Sequence, residues 1–282
     1  MTTLVATSRA ELFRLRKWPA VWVIGGAWLV LNIIFVYVFN YLSYVDGSGF
    51  AAGTPKELLL ERLLPAGVPV GLAQGTPMFG GAIMLTLGAL AAGSGFGWGT
   101  WKTAFTQGRG RLSVLAGTVA GLAAVVLTVV LTTLVVDLGI STAVALAEGQ
   151  ELVYPGLGQV LRAVAGALLV LGMWTSAGVA LGTLSRSPAL AVGLGVVWVL
   201  AVENLLRGVA GALDWLAPIT DVLPGSVAGS LVAALGATPV SQGGAPGVVD
   251  TLTAWPAVAL ACGYTLAFAA LTVWLVRRRD VG

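Results

Sequence analysis

The sequence contains no histidine, and its one cysteine, Cys262, lies inside an apolar run. Without histidine, bis-histidine haem ligation, the usual zinc sites and histidine-dependent hydrolytic dyads have no residues to use. A single cysteine excludes an intrachain disulfide. Charge is also scarce, at 10% of 282 residues, where soluble domains carry about 25%. Apolar residues fill 57% of the chain and the mean hydropathy is +0.94. A chain this poor in charge cannot cover a water-facing surface, so lipid is the solvent for much of it. The net charge of +3 gives no basis for nucleic-acid binding. Arginine outnumbers lysine, and Ala, Gly and Val dominate, a usage that points to a bacterial source of high genomic GC.

What is present is a set of six apolar segments separated by charged or Gly/Pro-rich breaks. They fall near 20–42, 76–96, 112–136, 161–184, 189–206 and 255–276. Each can cross a hydrocarbon core of about 30 Å as a helix. The first is too long for the h-region of a signal peptide, about 7–15 residues, and no small-x-small cleavage site follows it. It reads as a span. The expected fold is an all-α integral membrane protein, with residues 1–282 forming a single transmembrane domain.

The loops set the expected orientation. An even number of spans puts both termini on one side. That side carries Arg9, Arg14, Arg16, Lys17, Lys102, Arg109, Arg111, Arg186, Arg277, Arg278 and Arg279. The other side carries Lys56, Arg62, Arg162 and Arg207, with most of the acids. By the positive-inside rule the termini are cytoplasmic, in the plasma membrane of a bacterium.

The outer loops differ in character. In the first, Pro55 to Leu64 reads as an amphipathic helix with Pro55 at its first position, suited to the membrane interface. The second, 137–159, holds a short apolar helix near 141–147. The third, 207–254, is apolar but broken by Pro218, Pro224, Pro239 and Pro246. Short helical stretches near 209–216 and 226–235 suggest a re-entrant or interfacial helical hairpin between spans 5 and 6. Residues 1–19 form an interfacial amino-terminal helix, with Leu4, Val5, Leu12 and Leu15 on one arc and Arg14 and Lys17 pointing away. It serves either as a charged anchor or as a contact for a cytoplasmic partner.

Asp137 and Arg162 stand at expected span ends, where snorkelling to the headgroups suffices. Glu203 and Arg207 have the favourable i, i+4 order for a structural ion pair. No ionisable side chain is expected at the middle of a span, which argues against a proton- or ion-coupled pump. Small residues (Gly117, Gly121, Gly166, Gly172, Gly178, Gly182, Gly193 and Gly195) would permit close helix packing.

The inner loop 97–111 is the most unusual stretch. It holds Trp98, Trp101 and Phe105 together with Lys102, Arg109 and Arg111. The tryptophans can be read as interface residues. A short helix from Gly99 to Gln107 would instead align Trp101 and Phe105 at i, i+4, and Gly108 would stop it. An apolar face held outside the membrane needs a partner.

Gly97-Trp98-Gly99-Thr100-Trp101-Lys102-Thr103-Ala104-Phe105-Thr106-Gln107-Gly108-Arg109-Gly110-Arg111-Leu112 resembles the loop after the second span in bacterial ABC transporter permeases of the type-2 exporter family. There a G-T-hydrophobic-[RK] stretch leads to a polar-G-x-x-R turn. Glu11-Leu12-Phe13-Arg14-Leu15-Arg16-Lys17 is similar to that family's amino-terminal helix. Val202-Glu203-Asn204-Leu205-Leu206 and Leu223-Pro224-Gly225-Ser226 look like its fifth-span region. The hydropathy profile agrees over essentially the whole chain. Many members carry a lysine where this chain has Gly117 and Thr118.

The resemblance implies that 97–111 is a coupling helix seated in a groove of a separate ATP-binding-cassette subunit, with Trp98, Thr100, Trp101, Lys102, Phe105, Gln107, Arg109 and Arg111 in contact. Arg186, in the shorter inner loop 185–188, would be a second contact or simply a topogenic charge in a tight turn. It implies a second permease subunit, the same or different, to complete the pathway. The chain has no G-x-x-x-x-G-K-[ST] loop, so ATP hydrolysis belongs to the partner; no cofactor is expected. An intramembrane enzyme lacks the residues for metallo-, aspartyl or Ser/Lys chemistry. A structural or assembly subunit of a membrane complex is the alternative.

Overall fold

The computed structural model describes residues 2–47, 54–97, 110–213 and 215–278. Those residues are helical with turns and contain no strand. Among the described residues six helices are long and apolar enough to cross a membrane: span 1 (Pro19–Asp46), span 2 (Thr76–Phe96), span 3 (Arg111–Ala147), span 4 (Leu157–Ser185), span 5 (Pro188–Ala210) and span 6 (Ala254–Arg278). Spans 1, 2 and 5 each contain one π-helical turn, at Ile33–Val38, Thr76–Gly80 and Trp198–Val202. Before span 1 runs a helix, Thr2–Lys17. Trp18 is extended, and Pro19 opens the span in its first turn, where an N–H has no partner within the helix.

The bundle is built on a seam between spans 2 and 4. A Cβ added at Gly178 would collide with the Leu85 carbonyl oxygen, and one at Gly88 with that of Thr175. One at Gly182 would stand 2.7 Å from the Ala89 oxygen. Contacts rise together in number (85 with 178, 89 with 182), so the two spans run parallel, backbone against backbone, in the manner of small-x-x-x-small helix pairs. Span 5 lies antiparallel to span 2, since Gly195 meets Leu85 and Gly93 meets Pro188. Span 1 is also antiparallel to span 2: Trp28 covers Gly80, and Val36 meets Gly71 just ahead of that span.

One end of the bundle gathers Phe96, Val114, Leu115, Val273 and Val276 into a small apolar cluster. The end of span 2, the start of span 3 and the end of span 6 therefore meet. Arg186 holds its guanidinium 5.9 Å from the Phe96 ring centroid at this end.

Several expected boundaries shift. Span 3 has 37 residues, about 55 Å at 1.5 Å per residue. The helix expected separately near 141–147 is its last two turns. Asp137 does not end the helix, because its carboxylate is engaged sideways by span 1. Residues 65–75 belong to no loose loop: Pro65–Gly67 makes a 3₁₀ turn and Val68–Gln74 a helix, with Val68, Leu72 and Ala73 buried. Pro55 caps the helix Lys56–Leu63 rather than opening it.

The amino-terminal helix packs along the start of span 3, where Leu15 is buried against Gly121. Leu12, expected on the same apolar arc, is exposed. Between spans 5 and 6 the helices are Ala217–Asp221 and Pro224–Ala234. The stretch expected at 209–216 is instead the end of span 5 followed by turns, because Gly211 stops the helix and Pro218 fits only a first turn. Pro224 through Val232 are all buried. Segment 247–252 folds back over that helix, with the amides of Thr251 and Leu252 donating to Ser230 Oγ.

Candidate functional site

Spans 1 and 3 run parallel and are joined by a ladder of polar contacts. Trp28 Nε1 donates to Thr133 Oγ1 at 3.0 Å. One turn on, Asn32 Nδ2 donates to Asp137 Oδ1 at 2.7 Å. Tyr37 OH donates to the Asp137 backbone oxygen at 3.2 Å. At the far end Tyr41 and Tyr44 each donate to one oxygen of Glu148, both at 3.0 Å. Asn32 sits at the midpoint of the 28-residue span 1. Asp137, beside it, is 0% exposed.

The ladder overturns two expectations. Asp137 does not snorkel to headgroups, and an ionisable side chain does lie within a span. The argument against ion coupling that rested on the expected absence of such a group therefore falls. Sequence held a signal for this: a lone amide, Asn32, in the middle of an apolar span demands a hydrogen-bonding partner on another helix.

A second buried acid, Glu203, follows the π-turn of span 5. Trp198 Nε1 donates to Glu203 Oε1 at 2.6 Å, and the Gly225 amide donates to Oε2 at 2.8 Å. Gly225 lies in the first turn of Pro224–Ala234, whose free amides and dipole favour an anion. Glu203 thus pins the start of that helix to span 5. A side chain at residue 225 would displace this carboxylate. Arg207, the expected ion-pair partner, makes no direct contact with the carboxylate; it donates to Asn204 Oδ1 at 2.7 Å and to Ser226 Oγ at 3.4 Å, while its charge still acts on Glu203 from nearby. The expected direct pair gives way to a network, because the carboxylate is already taken by an indole and a helix N-terminus. Asp137 and Glu203 are both fixed by neutral donors.

Of the expected coupling contacts, Trp98, Thr100, Trp101, Lys102, Phe105, Gln107 and Arg109 lie outside the described residues. Arg111 is the first residue of span 3, after Gly110. Arg186 ends span 4 in the left-handed conformation (φ 53°), its amide donating to the Gly182 oxygen at 3.1 Å. Ser187 then caps span 5 by accepting from the Leu190 amide, with Pro188 in the first helical position. The turn is thus built by local backbone chemistry, with Arg186 set beside Phe96 at the end of span 2. Among the described residues no group of three His, Cys, Asp or Glu side chains could hold a metal ion. No family profile and no curated protein matches the chain.

Proposed function

We propose that this chain is the membrane subunit of an ATP-driven exporter, one half of a translocation pathway coupled through the loop 97–111 to a separate ATP-binding-cassette subunit. The observation that carries this reading is the loop's own sequence, three aromatics and three cations between two apolar spans. Its flanks support it. Phe96 and Arg111 belong to the end of the bundle that also bears Arg186, Arg277 and Arg278. That end is the cytoplasmic face of a bacterial plasma membrane by the positive-inside rule.

The segment between spans 5 and 6 forms a hairpin at the opposite, outer face. Its second helix is buried, while Leu213, Trp215, Ile219 and Val222 in its first half are exposed. Each large apolar side chain gains roughly 1.5–3 kcal/mol on leaving water, so this half rests in lipid at the headgroup boundary. A second permease subunit covers part of the exposed apolar face of the bundle and completes the pathway.

Copurification tests the reading. Tagged chain from its native membrane should bring an ATP-binding-cassette subunit with it. Its recovery with other membrane components only would favour the assembly-subunit alternative.

A further inference from the structure

The Asn32–Asp137 pair leaves two buried atoms without a donor in the protein: Asn32 Oδ1 and Asp137 Oδ2. Both are acceptors. They belong to the two planar groups already joined by the 2.7 Å bond from Asn32 Nδ2 to Asp137 Oδ1. An unsatisfied acceptor buried in an apolar setting is costly, and a buried unpaired charge far more so. No lysine or arginine lies within salt-bridge distance of Asp137 among the described residues. Charged groups on neighbouring elements turn elsewhere. Glu148 is held by Tyr41 and Tyr44, Arg62 by Thr238, and Arg162 by the Gly158 carbonyl. Lys56, Glu57 and Glu61 are exposed. Among the described residues, the titratable group facing the pair is Tyr37, whose hydroxyl donates to the Asp137 backbone oxygen and also lies near the carboxylate.

We propose that Asn32 and Asp137 form a one-proton site, in which Asp137 takes a proton from water on Oδ2 and its O–H donates to Asn32 Oδ1. A single proton satisfies both orphaned atoms at once. It removes the buried charge and closes an amide–acid ring with two hydrogen bonds. The ring locks the middle of span 1 to span 3. Loss of the proton leaves a carboxylate facing an amide oxygen, so the site opens the ladder where spans 1 and 3 would have to part. The inference stands on this geometry and does not depend on the exporter reading.

Infrared difference spectroscopy on the full chain in lipid bilayers tests it. At neutral pH the wild-type spectrum should contain a protonated-carboxyl C=O band that Asp137→Asn abolishes. Asn32→Leu should keep that band but move it to higher frequency, as the O–H loses its acceptor. This second variant keeps the test decisive if the first does not fold. Only carboxylate bands for Asp137 at neutral pH, or a band indifferent to Asn32, would overturn the proposal. So would a rise in wild-type melting temperature with sodium or potassium that Asp137→Asn lacks, which would mark a metal-cation site instead.

Discussion

Asn40 stands to span 1 as Asn204 stands to span 5. Asn40 Nδ2 reaches back to the carbonyls of Phe35 and Val36, at 3.2 and 2.8 Å. Asn204 Nδ2 reaches back to those of Val199 and Leu200, at 3.5 and 2.9 Å. Each amide sits two residues beyond a π-helical turn and bonds carbonyls within that turn. Both π-turns stand next to a buried polar node, Asn32 with Asp137 in one case and Glu203 in the other.

Replacing either amide by leucine should therefore loosen the turn it serves. Each variant is expected to lose about 1–2 kcal/mol, with amide exchange rising around 33–40 in Asn40→Leu and around 198–204 in Asn204→Leu. Unchanged exchange in both would show that the π-turns hold themselves.

The glycines divide into two classes that composition alone does not separate. A methyl group at Gly178 would enter the backbone of span 2, whereas Gly193 and Gly172 meet nothing within 4 Å. Gly178→Ala should destabilise by about 1–3 kcal/mol or block folding. Gly193→Ala should be neutral or stabilising, by up to about 1 kcal/mol from helix propensity. Thermal denaturation of the two variants side by side checks this; equal effects would contradict the described seam.

Much of this fold was legible from hydropathy. The bounds of span 2 agree with the sequence reading, and the other five lie within a few residues at most ends. The failures share a cause. Asp137 looked like the end of a span because an acid is costly in lipid, and its partner lay about a hundred residues earlier in the chain. Residues 65–75 looked like loop because Pro65 and Pro69 break a long helix, yet each fits the first turn of a short one. Glu203 and Arg207 had good helical spacing for an ion pair, but the amide of Gly225 competes for the carboxylate. Gly172 and Gly193 were expected at close helix contacts, and a count of small residues cannot show which face a neighbour occupies.

Glu203 makes a separate prediction for the segment between spans 5 and 6. Glu203→Ala removes the acceptor for both the Trp198 indole and the Gly225 amide, bonds to a charged group worth about 1.5–3 kcal/mol each. Gly225→Ala attacks the same contact from the other side. Both variants should speed amide exchange across Pro224–Ala234 while leaving the seam between spans 2 and 4 protected. Protection of Pro224–Ala234 unchanged in both variants would mean that its apolar packing alone holds it.

The measurement closest to the central claim is the affinity of the chain for the proposed ATP-binding-cassette subunit with and without the two loop aromatics. Trp101→Ala combined with Phe105→Ala should insert into the membrane normally. Loss of two aromatic anchors costs about 3 kcal/mol or more at an interface, so binding should fall on the order of 100-fold. Hydrolysis by the partner should then no longer drive transport. A double variant that binds the ATPase and transports as the wild type does would contradict the coupling role of this loop.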